Sequence, residues 1–247
     1  MTTSIDTYSI LDTEEFGEHF QDKLESLISL GIKSGADLVE IFLENTKNIG
    51  VMAEQDTITS VSPSFNKGAG LRVFLGNRDG FVCTNDLSTS GIKKALIEAL
   101  AMLGLEVNTS ASKSFDGLNK LIDFAEHKSN WYRDCPDLDV STIKLLSGTQ
   151  HLKRKGNHIE VRRGSYSRSW QEVLVAASDG TFARDIRLHQ SIGLNALASD
   201  GEHRSSIGRR YGSHGKPNDL IEWNCENSAE DISKSIQKML YADYVEA

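Results

Sequence analysis

The chain has 247 residues, 38% of them hydrophobic and 25% charged, a balance that supplies a buried core and excludes disorder throughout. A formal net charge of -8 excludes a surface that is basic on average, and nucleic-acid binding rests on Lys and Arg neutralising phosphates, so no nucleic acid is expected as a partner. No apolar run is long enough to span a bilayer, and residues 1–15 lack the basic and apolar regions of a signal peptide, so a cytoplasmic location without membrane contact is expected.

A helix start is expected at Asp12, with Glu15 in capping-box spacing and Phe16, Phe20, Leu24, Leu27 and Ile28 at helical intervals. The period then changes. In residues 36–45, Val39, Ile41 and Leu43 fall on one face and Leu38, Glu40, Phe42 and Glu44 on the other, the alternation of a strand. Two short strands are expected over residues 49–55 and 58–61, with Gln55-Asp56 at the turn. Residues 67–75 and 81–84 flank a loop ending in Asp79-Gly80 and form a hairpin signal. Residues 87–103 return to helix, capped by Ser88 or Ser90 and lined by Ile92, Ala95, Leu96, Ala99, Leu100 and Leu103.

Residues 106–129 have weak periodicity and many Ser, Asn, Lys and Asp. They are expected to be a linker, with a short helix around residues 118–124. A helix then opens at Asp139, with Val140, Ile143, Leu146 and His151 on its stripe. Residues 158–212 read as an antiparallel meander turned at Ser178-Asp179-Gly180 and Ser199-Asp200-Gly201, with Gly164 as a possible bend. A last helix begins at Ser228 and buries Ile232, Ile236, Met239 and Leu240. The expected fold class is α+β in two subdomains, each a mostly antiparallel sheet covered by helices: an N-terminal domain over residues 1–105, the linker over 106–129 and a central domain over 130–247.

The side chains that carry chemistry form no self-contained site. A helical zinc motif needs two His four apart, and the residues four after each His are Lys23, Trp131, Lys155, Arg162, Gly193, Ile207 and Asn218. No His lies five after another, so HExxxH spacing is absent too. His158-Ile159-Glu160 mimics the HxE of zinc deaminases without the later PCxxC, and a strand-surface histidine is the simpler reading. Cys83, Cys135 and Cys225 are odd in number and widely spaced, which fits a reducing compartment better than a disulfide framework. Gly212-Ser213-His214-Gly215 reads as a Gly-rich loop rather than a nucleophile beside its base. Gly68-Ala69-Gly70 runs into a strand, whereas a dinucleotide fingerprint needs a helix N-terminus there. The two glycines mark a bulge or close backbone packing. Lys153-Arg154-Lys155 and Arg162-Arg163 are short basic runs of the kind that line solvated faces. The residues themselves thus assign no catalytic, cofactor-binding or metal position.

The order of several segments goes further. Gly35-Ala36-Asp37-Leu38-Val39-Glu40-Ile41-Phe42, then Ile58-Thr59-Ser60-Val61, then Gly68-Ala69-Gly70-Leu71-Arg72-Val73, Gly76 and Gly80-Phe81 resemble the first domain of the TldD/PmbA metalloproteases. Ser178-Asp179-Gly180, Arg184-Asp185-Ile186-Arg187 and Glu202-His203-Arg204 resemble the family's central domain. The resemblance runs from about Leu24 to the end. It implies a peptidase of short or unfolded peptides that works as a homo- or hetero-oligomer with a TldD/PmbA-type chain. It also implies that zinc, held by a HExxxH helix and a later Cys, belongs to a C-terminal domain, so no cofactor is expected in this chain. The chain stops after the helix opening at Ser228, which under this resemblance makes it a fragment, a truncated product or half of a split enzyme. The function expected is that of a non-catalytic N-terminal and central portion, inactive alone; the alternative is a stand-alone peptide-binding or scaffold subunit.

Overall fold

The structure, a computed structural model, describes residues 20–124, 138–155, 158–215 and 219–242. The chain divides into two compact units, each assembled from three stretches. Unit 1 takes residues 1–46, 65–130 and 171–186; unit 2 takes 47–64, 131–170 and 187–247. Four strands have residues in both units: β1 (Leu38–Glu54), β2 (Thr57–Leu75), β5 (Ile159–Ala177) and β6 (Phe182–Ser199). The fold class is α+β with mostly antiparallel strands, as the alternating patterns require.

In unit 1 the strand order is β3 (Arg78–Thr84), β2, β1, β5, β6, and then β4 (Ile122–Asp123), which pairs with β6 in parallel. Helices α1 (Phe20–Lys33) and α2 (Thr89–Met102) cover one face. Their buried Leu24, Ile28, Ile92, Leu96 and Leu100 share a core with Val39, Ile41, Leu43, Leu71 and Val73. Ser88 is the N-cap of α2, its Oγ accepting from the Gly91 N–H at 3.1 Å. The expected capping box at Asp12–Glu15 lies outside the described residues.

One turn and one expected helix differ from expectation. The β2–β3 hairpin turns at Gly76–Asn77, with Leu75 opposite Arg78, so Asp79 and Gly80 lie inside β3. Gly80 is there because a Cβ would stand 2.3 Å from the Ala99 carbonyl oxygen of α2. Residues 118–124 form no helix. The run is extended, Leu118 and Leu121 pack on the core, and the Phe124 N–H donates to Arg184 O at 2.9 Å. Upstream of it, the Lys113 ammonium donates to Ala36 O at 2.5 Å and to the Asp37 carboxylate at 3.3 Å.

In unit 2 the order is β2, β1, β5, β6 and β7 (Arg204–His214). The expected meander is present, with β6 and β7 antiparallel from Ser199↔Arg204 to His189↔His214. Helices α3 (Leu138–Lys155) and α4 (Cys225–Leu240) bury Leu145, Leu152, Ile232 and Ile236 against Val51, Ile192, Leu194 and Ala196. Asn224 caps α4, which therefore begins three residues before the expected Ser228, and Met239 is exposed rather than buried. The stripe expected on α3 is also rotated. Val140 and Ile143 are exposed while Ser141, Leu145, Thr149 and Leu152 are buried. Gly212, Ser213 and His214 belong to β7 and not to a loop.

Candidate functional site

One apolar feature of unit 1 lies on the outer face of β1, β2 and β3, opposite the helices. Strand alternation puts Val39, Ile41 and Leu43 inward, so Phe42 and Glu44 point out. On β2, Leu71 and Val73 are buried, which turns Asn66, Gly68, Gly70 and Arg72 outward. On β3, Phe81 stands opposite Arg72 and Cys83 opposite Gly70. The result is a trough of about 370 Å³ lined by Phe42, Glu44, Gly68, Gly70, Phe81 and Cys83, with Asn66, Lys67 and Thr84 at one end.

The glycines make the floor. A Cβ on Gly70 would sit 3.1 Å from Cε2 of the Phe81 ring, and one on Gly68 would sit 3.1 Å from Thr84 O. The expectation of close packing at Gly68-Ala69-Gly70 is therefore met, with the Thr84 carbonyl beside Gly68 and the Phe81 ring beside Gly70. Phe42 and Phe81 remain 38% and 52% exposed, an aromatic surface that folding alone leaves in water. Their contribution was missed in the sequence; the signal was Phe42 set between Glu40 and Glu44 on the face opposite Val39, Ile41 and Leu43. Arg72 turns away to Asp79, at 2.9 Å.

The edge of β2 beside this trough is open. Pairing with β3 begins at Ala69↔Thr84, so residues 57–68 of β2 have β1 as their only strand neighbour among the described residues. Every side chain from Thr59 to Lys67 is exposed. Pro63 lies in this stretch, a residue that sheets tolerate at edges.

Unit 1 also buries a charge network. The Arg184 Nε donates to the Glu172 carboxylate at 2.7 Å and its Nη1 to Asp123 at 3.1 Å. Glu172 is fully buried. A guanidinium holding two carboxylates satisfies groups that would otherwise be costly to bury.

Unit 2 carries the polar candidates. The basic runs are engaged in ion pairs: Lys153 with Asp56 at 2.9 Å, Arg162 with Asp56 at 3.8 Å, and Arg163 with Glu54 at 3.1 Å. The Lys153 hydrogen bond, helped by the charges of Lys153 and Arg162, holds the Asp56 carboxyl below its ordinary range. Arg162 is buried, not on a solvated face. Lys47 is buried as well, its ammonium 5.3 Å from the centre of the Trp170 ring. His189 and His214, opposite each other on β6 and β7, meet edge to face with ring centres 4.6 Å apart. Burial, then the charges of His214 and Arg187, push the His189 imidazole below its ordinary value. His158 sits just before β5 with its Nε2 buried. Cys83 is exposed and Cys225 buried; Cys135 lies outside the described residues.

The donor set of the described residues does not fit a zinc ion. Among the described residues no three His, Cys, Asp or Glu side chains come together as metal ligands, and the His189–His214 pair has no third donor beside it. Among the described residues no helix is long and apolar enough to cross a membrane.

Comparison with known proteins places this architecture. Residues 39–103 match the PmbA/TldA metallopeptidase domain 1 and residues 133–240 the PmbA/TldA metallopeptidase central domain. A metalloprotease TldD homolog of Buchnera aphidicola is 22% identical over 243 residues, covering 96% of this chain and 46% of that protein. TldE from Thermococcus kodakarensis superposes with a TM-score of 0.67 at 19% identity, over 87% of this chain and 47% of the other. A putative modulator of DNA gyrase from Thermotoga maritima gives 0.70 at 13% identity, over 92% and 50%. One from Bacteroides thetaiotaomicron gives 0.68 at 14% identity, over 94% and 52%. The chain thus spans about half the length of these relatives. With the two family domains matched in order along one α+β chain, this protein belongs to the TldD/PmbA metallopeptidase family.

Proposed function

We propose that the chain serves as the non-catalytic N-terminal and central portion of a TldD/PmbA-like zinc metallopeptidase of the cytoplasm, acting on short or unfolded peptides and inactive alone. The zinc site would come from a HExxxH-bearing segment or a TldD/PmbA-type partner chain. The reading is carried by the two consecutive family matches, domain 1 and then the central domain. The test is a cleavage assay on an unfolded peptide, with and without zinc and chelator, run on the tag-free chain alone and after co-expression with a HExxxH-bearing chain. Chelator-sensitive turnover should appear only with the partner, together with a shift in mass by light scattering. Zinc-dependent turnover by the chain alone overturns the proposal.

A second reading, a stand-alone peptide-binding subunit, is favoured by the open edge of β2, since an extended peptide adds as a strand to such an edge. Saturable peptide binding by a chain that ignores every HExxxH-bearing partner would select it.

A further inference from the structure

We infer that the trough between Phe42 and Phe81 is a side-chain pocket for an extended peptide carrying an aromatic or long aliphatic residue. The inference rests on the peptide-handling reading above and names the chemistry that the chain itself selects.

Three observations converge on this occupant. The first is the floor. Glycines weaken a strand, yet two stand alternately on the outward face of β2, where bare backbone lets the Phe81 ring lie over Gly70. The second is the lining. Two exposed aromatic rings wall a space of about 370 Å³, at the small end of the range for ligand pockets and ample for one large apolar side chain. The third is the adjoining backbone. At the Asn66, Gly68 and Thr84 end of the trough, β2 leaves its pairing with β3, so among the described residues no strand lies on the outer edge of β2 from Phe65 to Gly68. A peptide that continues the line of β3 would find main-chain partners on that edge. Its alternate side chains would rise on the face where the trough lies. The open edge selects an extended backbone and the trough selects what that backbone displays. An ionic ligand would use neither.

Cys83 lines the trough and is exposed, so it reports occupancy directly. The probe is a short unstructured Ser/Thr/Gly peptide with one central Phe, compared with the same peptide carrying Ser there. Alkylation of Cys83 is followed by peptide mass mapping and affinity by fluorescence anisotropy. The Phe peptide should bind saturably and slow Cys83 alkylation, and the Ser peptide should bind about tenfold to a hundredfold more weakly, the ratio expected from burying one large apolar side chain. Cys83→Trp, which fills the trough, and Phe42→Ala, which removes a wall, should each weaken the Phe peptide while leaving the circular dichroism spectrum and thermal midpoint near wild type. Equal affinity for both peptides, no binding, or unprotected Cys83 overturns the inference. So does Cys83 protection that rises with protein concentration in the absence of peptide, because a second copy would then own the trough. None of these results touches the proposed function, which stands or falls on cleavage with the HExxxH-bearing chain.

Discussion

Replacing Glu172 by Gln tests how unit 1 tolerates charge in its interior. Glu172 is fully buried and takes the Arg184 Nε at 2.7 Å, while Asp123, 27% exposed, takes Nη1 at 3.1 Å. Opposite charges about 4 Å apart attract by ~4 kcal/mol at an effective dielectric near 20. Breaking a buried pair from one side costs about 3–5 kcal/mol, because the remaining charge loses its compensation. Glutamine keeps one acceptor and Asp123 keeps its hold on Arg184, so E172Q is expected near the lower end, about 3 kcal/mol. For a chain of this size that lowers the thermal midpoint by roughly 6–12 °C. Asp123→Asn, partly in water, should cost about 1 kcal/mol. Asp79→Asn, which breaks the exposed Arg72–Asp79 pair, should cost under about 0.5 kcal/mol. Urea titrations of the three variants give the order directly. A loss for D123N as large as for E172Q, or an E172Q loss under about 1 kcal/mol, refutes the claim that burial sets the scale.

Gly80→Ala forces a methyl against the Ala99 carbonyl of α2 and should cost about 1–3 kcal/mol in urea unfolding, whereas Gly201→Ala, with nothing within 4 Å, gives no clash and only backbone strain. Ser88→Ala removes the acceptor for the Gly91 N–H and should cost about 1 kcal/mol, recovered by Ser88→Asp. His189 has a folded value below its ordinary 6.5, so the unfolded chain binds the proton more readily and acidification below pH 6.5 favours unfolding. His189→Asn should therefore lessen the stability lost between pH 7 and about pH 5, as measured by thermal midpoints at each pH. The Thr181 hydroxyl and N–H hold the Asp179 carboxyl below its ordinary 3.8; the stability this gives is present above that value and lost as pH falls through the lower folded one, so Asp179→Asn should flatten the acid limb of the same profile.

Much of the fold was legible because alternation and turn chemistry are local. Ser178-Asp179-Gly180 and Ser199-Asp200-Gly201 located both turns of the meander, and the apolar spacing of Ile92, Leu96 and Leu100 located α2. The failures were non-local. Residues 36–45 and 49–55 read as separate strands because Thr46, Lys47 and Asn48 are polar. In β1 they are continuous, and Lys47 is buried because Trp170, far along the chain, receives its ammonium. The rotated face of α3 has a similar cause. Gly148 lies so close to Leu194 that a Cβ would stand 2.7 Å from a Leu194 methyl, so the helix approaches through small residues and leaves Ile143 outside. The trough was half legible. Its glycines were visible as a signal of close packing, but its walls come from β1 and β3, and their meeting on one face depends on register.

The interleaving of the two units constrains how the protein can be made. Unit 1 cannot close until residues 171–186 have left the ribosome, although most of it is encoded before residue 130. By then residues 47–64 and 131–170 of unit 2 have also emerged, still short of β7 and α4. During that interval the edge of β1 that β5 covers, and then the edge of β5 that β6 covers, are unpaired, the condition under which nascent chains aggregate or recruit chaperones. The same layout means that a genetic cut at the border between the matched family segments separates neither unit intact. A product of residues 133–240 alone would be made without the 47–64 stretch that supplies Val51 and Ala53 to its core.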